Sequence, residues 1–340
     1  MLGLGDSVGT PPAGLTAEVV SVTGFSQLEE RAAALRGRIV LFNIPWTSYG
    51  ETMTYRVTGA SRAARHGAVA ILVRSLGPDG QRLPHTGMLQ YGNDAPQIPG
   101  AAIASEDADR LQRMLDRGQV VKVRLQMDAH MEGEAESANV VGEIRGREKP
   151  EEVIVVGGHL DSWDVGAGAQ DDGGGCIAMW EALRLMKALN LRPRRTVRVV
   201  LFTNEENGTR GGTAYRDAHR SELPNHVAML ESDSGIYRPV GFGFTGSARA
   251  RATVNAIAGL LDGLGATSVS DVGGGADIGP SVDAARIPAL SLDVDGPYFR
   301  YHHTEADTVD KVDPLDLARC VATVTVMTWV LAEMPQRLGE

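Results

Sequence analysis

The chain has only two cysteines, Cys176 and Cys320. Neither stands in a CxxC or other zinc-finger spacing, and two cysteines make no disulfide framework. Both read as small buried hydrophobes. Long hydrophobic runs are also missing: the longest, Cys320 to Leu331, is interrupted by threonines and falls short of the roughly 20 residues a bilayer span needs. Met1 is followed by LGLGDSVGTPPAG, without the basic start and apolar core of a signal peptide. Two kinds of catalytic signature are absent as well. Gly166 to Gly175 lacks the Lys-Ser/Thr of a phosphate-binding loop, and Gly273 to Gly275 opens no GxGxxG fingerprint. No GxSxG elbow offers a serine nucleophile.

Positive charge is short too. The formal net charge is −10, and it is unevenly spread. Residues 1–130 carry 13 Lys and Arg against 12 Asp and Glu, whereas residues 131–340 carry 20 against 31. Nucleic acid, which needs a basic surface, is therefore excluded as the expected partner. What is present is an ordinary globular balance, 43% hydrophobic and 22% charged. The 340 residues are enough for two domains, or for one with a large insertion.

The organising stretch runs from Val153 to Gly175, VIVVGGHLDSWDVGAGAQDDGGG. Val153 to Val156 is a β-branched run that reads as a buried strand. His159, Asp161, Asp171 and Asp172 follow it, and Met179, Leu183 and Met186 then recur at helical spacing. An imidazole and several carboxylates thus sit past the carboxyl end of a strand, where ligands of open α/β sheets collect.

Before that stretch, residues 1–14 are Gly/Pro-rich and unsuited to regular structure. Arg38 to Ile44, Ala68 to Val73 and Val120 to Met127 are strand-like. Tyr55 to Arg65 reads as a helix closed by Gly67, and Ser105 as the N-cap of a helix ending at Gly118. This is a small α/β module without clustered metal-binding or nucleophilic residues. After it, Ala138 to Ile144 and Val153 to Val156 read as strands, with Gly146 to Glu151 as a charged turn between them. Thr196 to Phe202, Ala228 to Glu231 and Ala289 to Leu292 are further strands. Helices are expected after Gly175 and Ser247, and from Asp313-Pro314 toward Met334. Strands alternating with helices predict a mostly parallel central sheet flanked by helices.

Polar residues recur at the predicted strand ends: His159 and Asp161, then Glu205-Glu206, then Asp233, with Asp171 and His303 in loops. Singly, each has an ordinary explanation, since Asp caps helices, paired Glu residues occupy solvated turns, and a lone His belongs to a core or a surface. Neighbouring strand ends lie side by side, so their joint recurrence points to a single site.

At these residues the chain resembles the di-zinc exopeptidase family of aminopeptidases and glutamate carboxypeptidases, and within it the plasma glutamate carboxypeptidase branch. The likeness rests on GGHLDSWDVG, DDGGG, NEENG, ESDSG and HHTEADT, five separated motifs in order, and extends over about residues 15–340. Residues 15–130 resemble a protease-associated domain, and residues 131–340 the di-zinc peptidase domain. The resemblance implies two zinc ions bridged by Asp171. His159 and Asp233 complete the ligands of one ion, Glu206 and His303 those of the other. His303 is preferred to His302 because the family's ligand precedes an Asp-Thr by four positions, here Asp307-Thr308. Asp161 accepts a hydrogen bond from His159 and fixes its tautomer. The family also implies a cis peptide between Asp171 and Asp172. Glu205 is the implied general base toward a water acidified to a pKa of ~7 between the ions. A tyrosine precedes the ligand histidine in many relatives and helps the oxyanion; His302 holds that position here, with Tyr301 one before it.

The implied activity is hydrolysis of small peptides, as a dipeptidase or carboxypeptidase. An aminopeptidase shares every metal motif, and a non-catalytic binding protein on the same scaffold would be marked by lost ligands. The expected partner is a small peptide, with neither nucleic acid nor a membrane; relatives are often homodimers. Members of the branch carry a signal peptide and a first part of the peptidase domain ahead of the insertion. The expectation is therefore an N-terminally incomplete peptidase domain whose full-length form is secreted or periplasmic.

Overall fold

The computed structural model describes residues Met1–Glu340. The chain divides into two compact units, Met1–Ala135 with Phe299–Ala306, and Glu136–Tyr298 with Asp307–Glu340.

The first unit is built on six strands, β1 (Leu2–Gly3), β2 (Leu15–Val22), β3 (Ile39–Phe42), β4 (Ala70–Arg74), β5 (Gly100–Ile103) and β6 (Lys122–Leu125), in the order β1-β5-β4-β3-β2-β6. β2 to β5 are parallel, and the antiparallel β1 and β6 form the edges. β3 and β4 are buried along their whole length, as continuous apolar strands at the centre of a parallel sheet must be. The unit also contains α1 (Phe25–Glu30), α2 (Tyr49–Arg65) and α3 (Ser105–Asp116). Alternate side chains of each strand feed two cores. Val40, Phe42, Ile71 and Val73 pack with Ala60 and Ala63 of α2. Ile39, Leu41 and Leu72 pack with Ala108 of α3.

Two sequence expectations are corrected here. α2 starts at Tyr49 rather than Tyr55 because Ser48 accepts the backbone N–H of Glu51 at 3.3 Å, half of a capping box. Ser105 is the first residue of α3, not its cap; Ala104 precedes it and offers no side-chain bond.

The second unit has seven strands, β7 (Val140–Ile144), β8 (Lys149–His159), β9 (Arg195–Phe202), β10 (His226–Glu231), β11 (Arg238–Thr245), β12 (Ser268–Ser270) and β13 (Ala289–Asp295), in the order β12-β11-β13-β10-β8-β9-β7. The sheet is mostly parallel, with antiparallel pairing only of β7 with β9 and of β11 with β13. β8 extends back through the stretch expected as a turn, pairing Lys149 with Arg195. β11 was not legible as a strand because Gly241 and Gly243 interrupt its hydrophobic run; side chains there would strike the backbones of Ser268 and Val272.

Five helices belong wholly to this unit: α4 (Gly174–Ala188), α5 (Arg210–Ala218), α6 (Ala248–Ala258), α7 (Gly279–Ala285) and α9 (Pro314–Glu333); the short α8 is Tyr298–Tyr301. α9 is capped by Asp313, whose carboxylate accepts Leu315 N at 2.7 Å and Asp316 N at 3.2 Å. At 20 residues it is long and apolar enough to cross a membrane by length and composition, which corrects the expectation drawn from the shorter run Cys320–Leu331. Within the unit, its Val324, Met327 and Leu331 share a core with Met179 and Met186 of α4. Truncating such a side chain to alanine costs about 2–5 kcal/mol. Both cysteines are buried and unbridged, as expected; Cys176 and Cys320 donate to the carbonyls of His159 and Tyr237.

Candidate metal centre

The register of the second sheet sets the site. His159, the last residue of β8, lies opposite Phe202, the last of β9, and Glu231 at the end of β10 lies opposite Gly157. The chain beyond these ends carries Asp161, Glu205, Glu206 and Asp233, so all of them share the carboxyl rim.

His159 is 1% exposed. Its Nδ1 lies 2.8 Å from the backbone carbonyl of Asp161. A carbonyl only accepts, so Nδ1 carries the proton and Nε2 faces the acids. Nε2 is 3.4 Å from Asp171 Oδ1 and 3.4 Å from Asp233 Oδ1. Burial favours the neutral ring, yet the hydrogen bonds to Asp171 and Asp233 outweigh it and raise the imidazole far above its ordinary range.

The Asp171–Asp172 peptide is cis. Asp172 turns back toward β8 and accepts the backbone N–H of His159 at 3.0 Å. Its carboxylate fits only because residues 158 and 175 are glycines; a Cβ at either would collide with it. Those two glycines of GGH and DDGGG are therefore steric requirements. Burial pushes the Asp172 carboxyl well above its usual range. Asp307 holds the preceding turn, accepting Gln170 N at 2.7 Å and Asp171 N at 3.1 Å.

Glu205 and Glu206 sit on the turn after β9. Their backbone N–H groups donate to the two oxygens of Asp161, at 3.0 and 3.2 Å. The role expected for Asp161 is thus divided: its carbonyl orients His159, and its carboxylate holds the Glu205-Glu206 backbone. Burial, reinforced by the charge of Asp233, pushes the Glu205 carboxyl up to about 8. Trp163 Nε1 donates to Glu206 Oε2 at 2.7 Å, and Tyr298, 9% exposed, donates through its hydroxyl to Asp233 Oδ1 at 3.4 Å. Neither Trp163 nor Tyr298 was singled out from the sequence. The one available signal for Trp163 was an aromatic residue in an otherwise small and polar loop.

Behind the rim, Glu231 accepts Ile278 N at 2.9 Å. Burial, followed by the charge of Asp233, raises Glu231 above its usual range; burial, followed by the charge of Glu231, raises Asp277. His302 and His303 belong to the segment grouped with the first unit. Their rings stack at 3.6 Å, and His303 Nδ1 donates to Thr86 O at 3.2 Å.

These groups fit a divalent metal. His159, Asp172 and Asp233 bring donor atoms within 4.8 Å of one another, and Asp171 Oδ1 approaches the same imidazole nitrogen at 3.4 Å, while Asp172 Oδ1 is buried without a hydrogen-bond partner. Imidazole with carboxylate is a donor set suited to zinc.

Such a rim on a mostly parallel α/β sheet defines a metallohydrolase. The model of peptidase family M28 matches residues 139–328, and the chain belongs to that family. It is 45% identical to carboxypeptidase Q of Xenopus laevis over 339 residues, covering 99% of this chain and 72% of that protein. The crystal structure of a peptidase M28 precursor from Shewanella amazonensis superposes with a TM-score of 0.95 at 36% identity, over 99% of this chain and 78% of that one. A zinc aminopeptidase from Bacillus subtilis shares the fold, with a TM-score of 0.70 at 20% identity over 98% of this chain and 78% of that one.

Proposed function

We propose that the chain is a di-zinc exopeptidase acting on small peptides as a dipeptidase or carboxypeptidase, with Asp171 shared between the ions, His159 and Asp233 on one, and Glu206 and His303 on the other. The observation that carries this reading is the approach of Asp171 and Asp233 to the same nitrogen, His159 Nε2. Two acids gathered on one buried imidazole are the arrangement a bound cation stabilises. Membership in a peptidase family supports peptide hydrolysis, and the similarity to carboxypeptidase Q favours the carboxypeptidase reading over the aminopeptidase one.

Held by these residues, two zinc ions would supply an acidified water and a polarised scissile carbonyl. The protein residues do the rest. Glu205 would take the proton of the attacking water and pass it to the leaving amine; burial and the charge of Asp233 raise its carboxyl, and a bound cation would favour the ionised form that a base needs. Asp161 keeps this base in place through the Glu205 backbone N–H. The Asp161 carbonyl keeps the proton of His159 on Nδ1 and so presents Nε2 as the ligand atom. The substrate is a peptide; the acidic balance of residues 131–340 argues against nucleic acid.

The test is zinc content per chain by elemental analysis, together with hydrolysis of a free dipeptide and of its N-blocked form. Two zincs with cleavage of both peptides is the expected result. Cleavage of the free dipeptide supports the dipeptidase reading, and tolerance of the block favours a carboxypeptidase over an aminopeptidase. Two zincs without cleavage of either would favour a binding role, and a folded protein that takes up no zinc would overturn the mechanism.

A further inference from the structure

We infer that Trp163 is a positioning residue that sets the carboxylate of Glu206, and that Asp161–Trp163 acts as one clamp registering the ligands of the two metal ions against each other. The inference rests on the reading of Glu206 as a metal ligand. Three hydrogen bonds join this short stretch to the Glu205-Glu206 pair: Asp161 Oδ1 from Glu205 N at 3.0 Å, Asp161 Oδ2 from Glu206 N at 3.2 Å, and Trp163 Nε1 to Glu206 Oε2 at 2.7 Å. The first two fix the backbone of residues 205 and 206. Of the three, only the last acts on the side chain, at a terminal torsion that is intrinsically broad.

An indole N–H is a donor and nothing else. Its short bond to a carboxylate is charge-assisted and favours the ionised form a metal ligand needs. The same stretch also touches the other ligand group, because the carbonyl of Asp161 accepts the proton of His159 Nδ1. Displacement of this loop would therefore disturb His159 and Glu206 together. Outer partners of this kind are worth about tenfold to hundredfold in metal affinity.

The test is Trp163→Phe in the full chain, which keeps a ring and removes the N–H. Zinc affinities are read by competition with a chromophoric chelator, and the coordination environment from the visible band of the cobalt-substituted protein. One of the two ions is expected to bind about ten to a hundred times more weakly with an altered cobalt band, while the metal-free protein keeps the parent's thermal midpoint. Parent-like affinity for both ions with an unchanged cobalt band would overturn the inference. So would a fall in the metal-free midpoint that accounts for the whole loss, since Trp163 would then be a packing residue. Glu206→Ala separates the two levels of the argument. If it still takes up two zincs as the parent does, the ligand reading of Glu206 fails. If it loses one while Trp163→Phe binds both normally, only the role of Trp163 fails.

Discussion

The two ends of the seven-stranded sheet carry charge in opposite ways. Toward the amino end of β9, guanidinium groups meet carboxylates. Arg195, completely buried, pairs with Glu152. Arg198 reaches Glu143 at 2.6 Å, Glu222 at 3.2 Å and the hydroxyl of Tyr215 at 2.8 Å. At the carboxyl end acids face acids: Glu205 is raised toward neutrality by burial and by Asp233, and Glu231 and Asp277 by burial and by neighbouring charge. Charge that is already paired holds strands and helices together. Several carboxylates around one imidazole exceed the single positive charge that the ring can carry, and a divalent cation offsets the surplus. One end of the sheet is thus built for the fold and the other for a metal.

The sharpest way to break this comparison is to change the acid expected to serve both ions. Asp171→Asn should abolish turnover and lower the zinc content of the purified protein; full zinc with full turnover would refute the shared role. Glu205→Gln comes next. Because this residue is read as the base and not as a ligand, kcat should fall about 10²–10⁴-fold while elemental analysis still finds two zincs. Unchanged kcat would show that another group moves the proton. At the opposite end, Arg195→Met should leave zinc affinity alone and lower unfolding free energy, because it strands Glu152 with little solvent. Lys149 lies 3.6 Å from Glu152 and holds the cost near the low end for a broken buried pair, about 3 kcal/mol. Chemical denaturation measures it, and a loss of zinc in this variant would show that the two ends are not separable.

Much of this contrast was legible in the sequence, for a physical reason. Buried parallel strands are continuous β-branched runs, so Val153–Val156 and Thr196–Phe202 announce themselves, and the residues after each run must lie on one rim. His159, Glu205, Glu206 and Asp233 were found that way. Contacts made across long separations left no such mark: Trp163 meets Glu206 from 43 residues away, and Tyr298 meets Asp233 from 65. Neither pairing has a periodicity to read. The division of labour within Asp161 was hidden because it depends on the local path of the chain, which turns the carbonyl toward His159 and the carboxylate toward the next turn. β11 was hidden by glycines that serve close backbone packing, and the early start of α2 by a cap whose partner is a backbone N–H.

The smallest expected effect sharpens the comparison without any mutation. In the metal-free protein, burial and neighbouring charge raise Glu205 to about 8 and hold the Glu231 and Asp277 carboxyls well above their ordinary range. A folded value raised above the unfolded one means that the folded state binds the proton more tightly. The resulting stabilisation is complete below the ordinary value and is lost as pH rises through the folded value. His159, also raised, acts in the same direction. The buried His85 and His226, lowered to about 3 and 4, work the other way only below their ordinary value of 6.5, so the thermal midpoint of chelator-stripped protein should fall by several degrees between pH 7 and pH 9. Zinc competes with protons for these groups, so the zinc-loaded protein should lose less over that interval, and the gap between loaded and stripped midpoints should widen with pH. A stripped midpoint that is flat or rises would mean that the acids at the carboxyl end are compensated within the protein itself, as those at the amino end are, and the distinction between a structural end and a metal-binding end would fail.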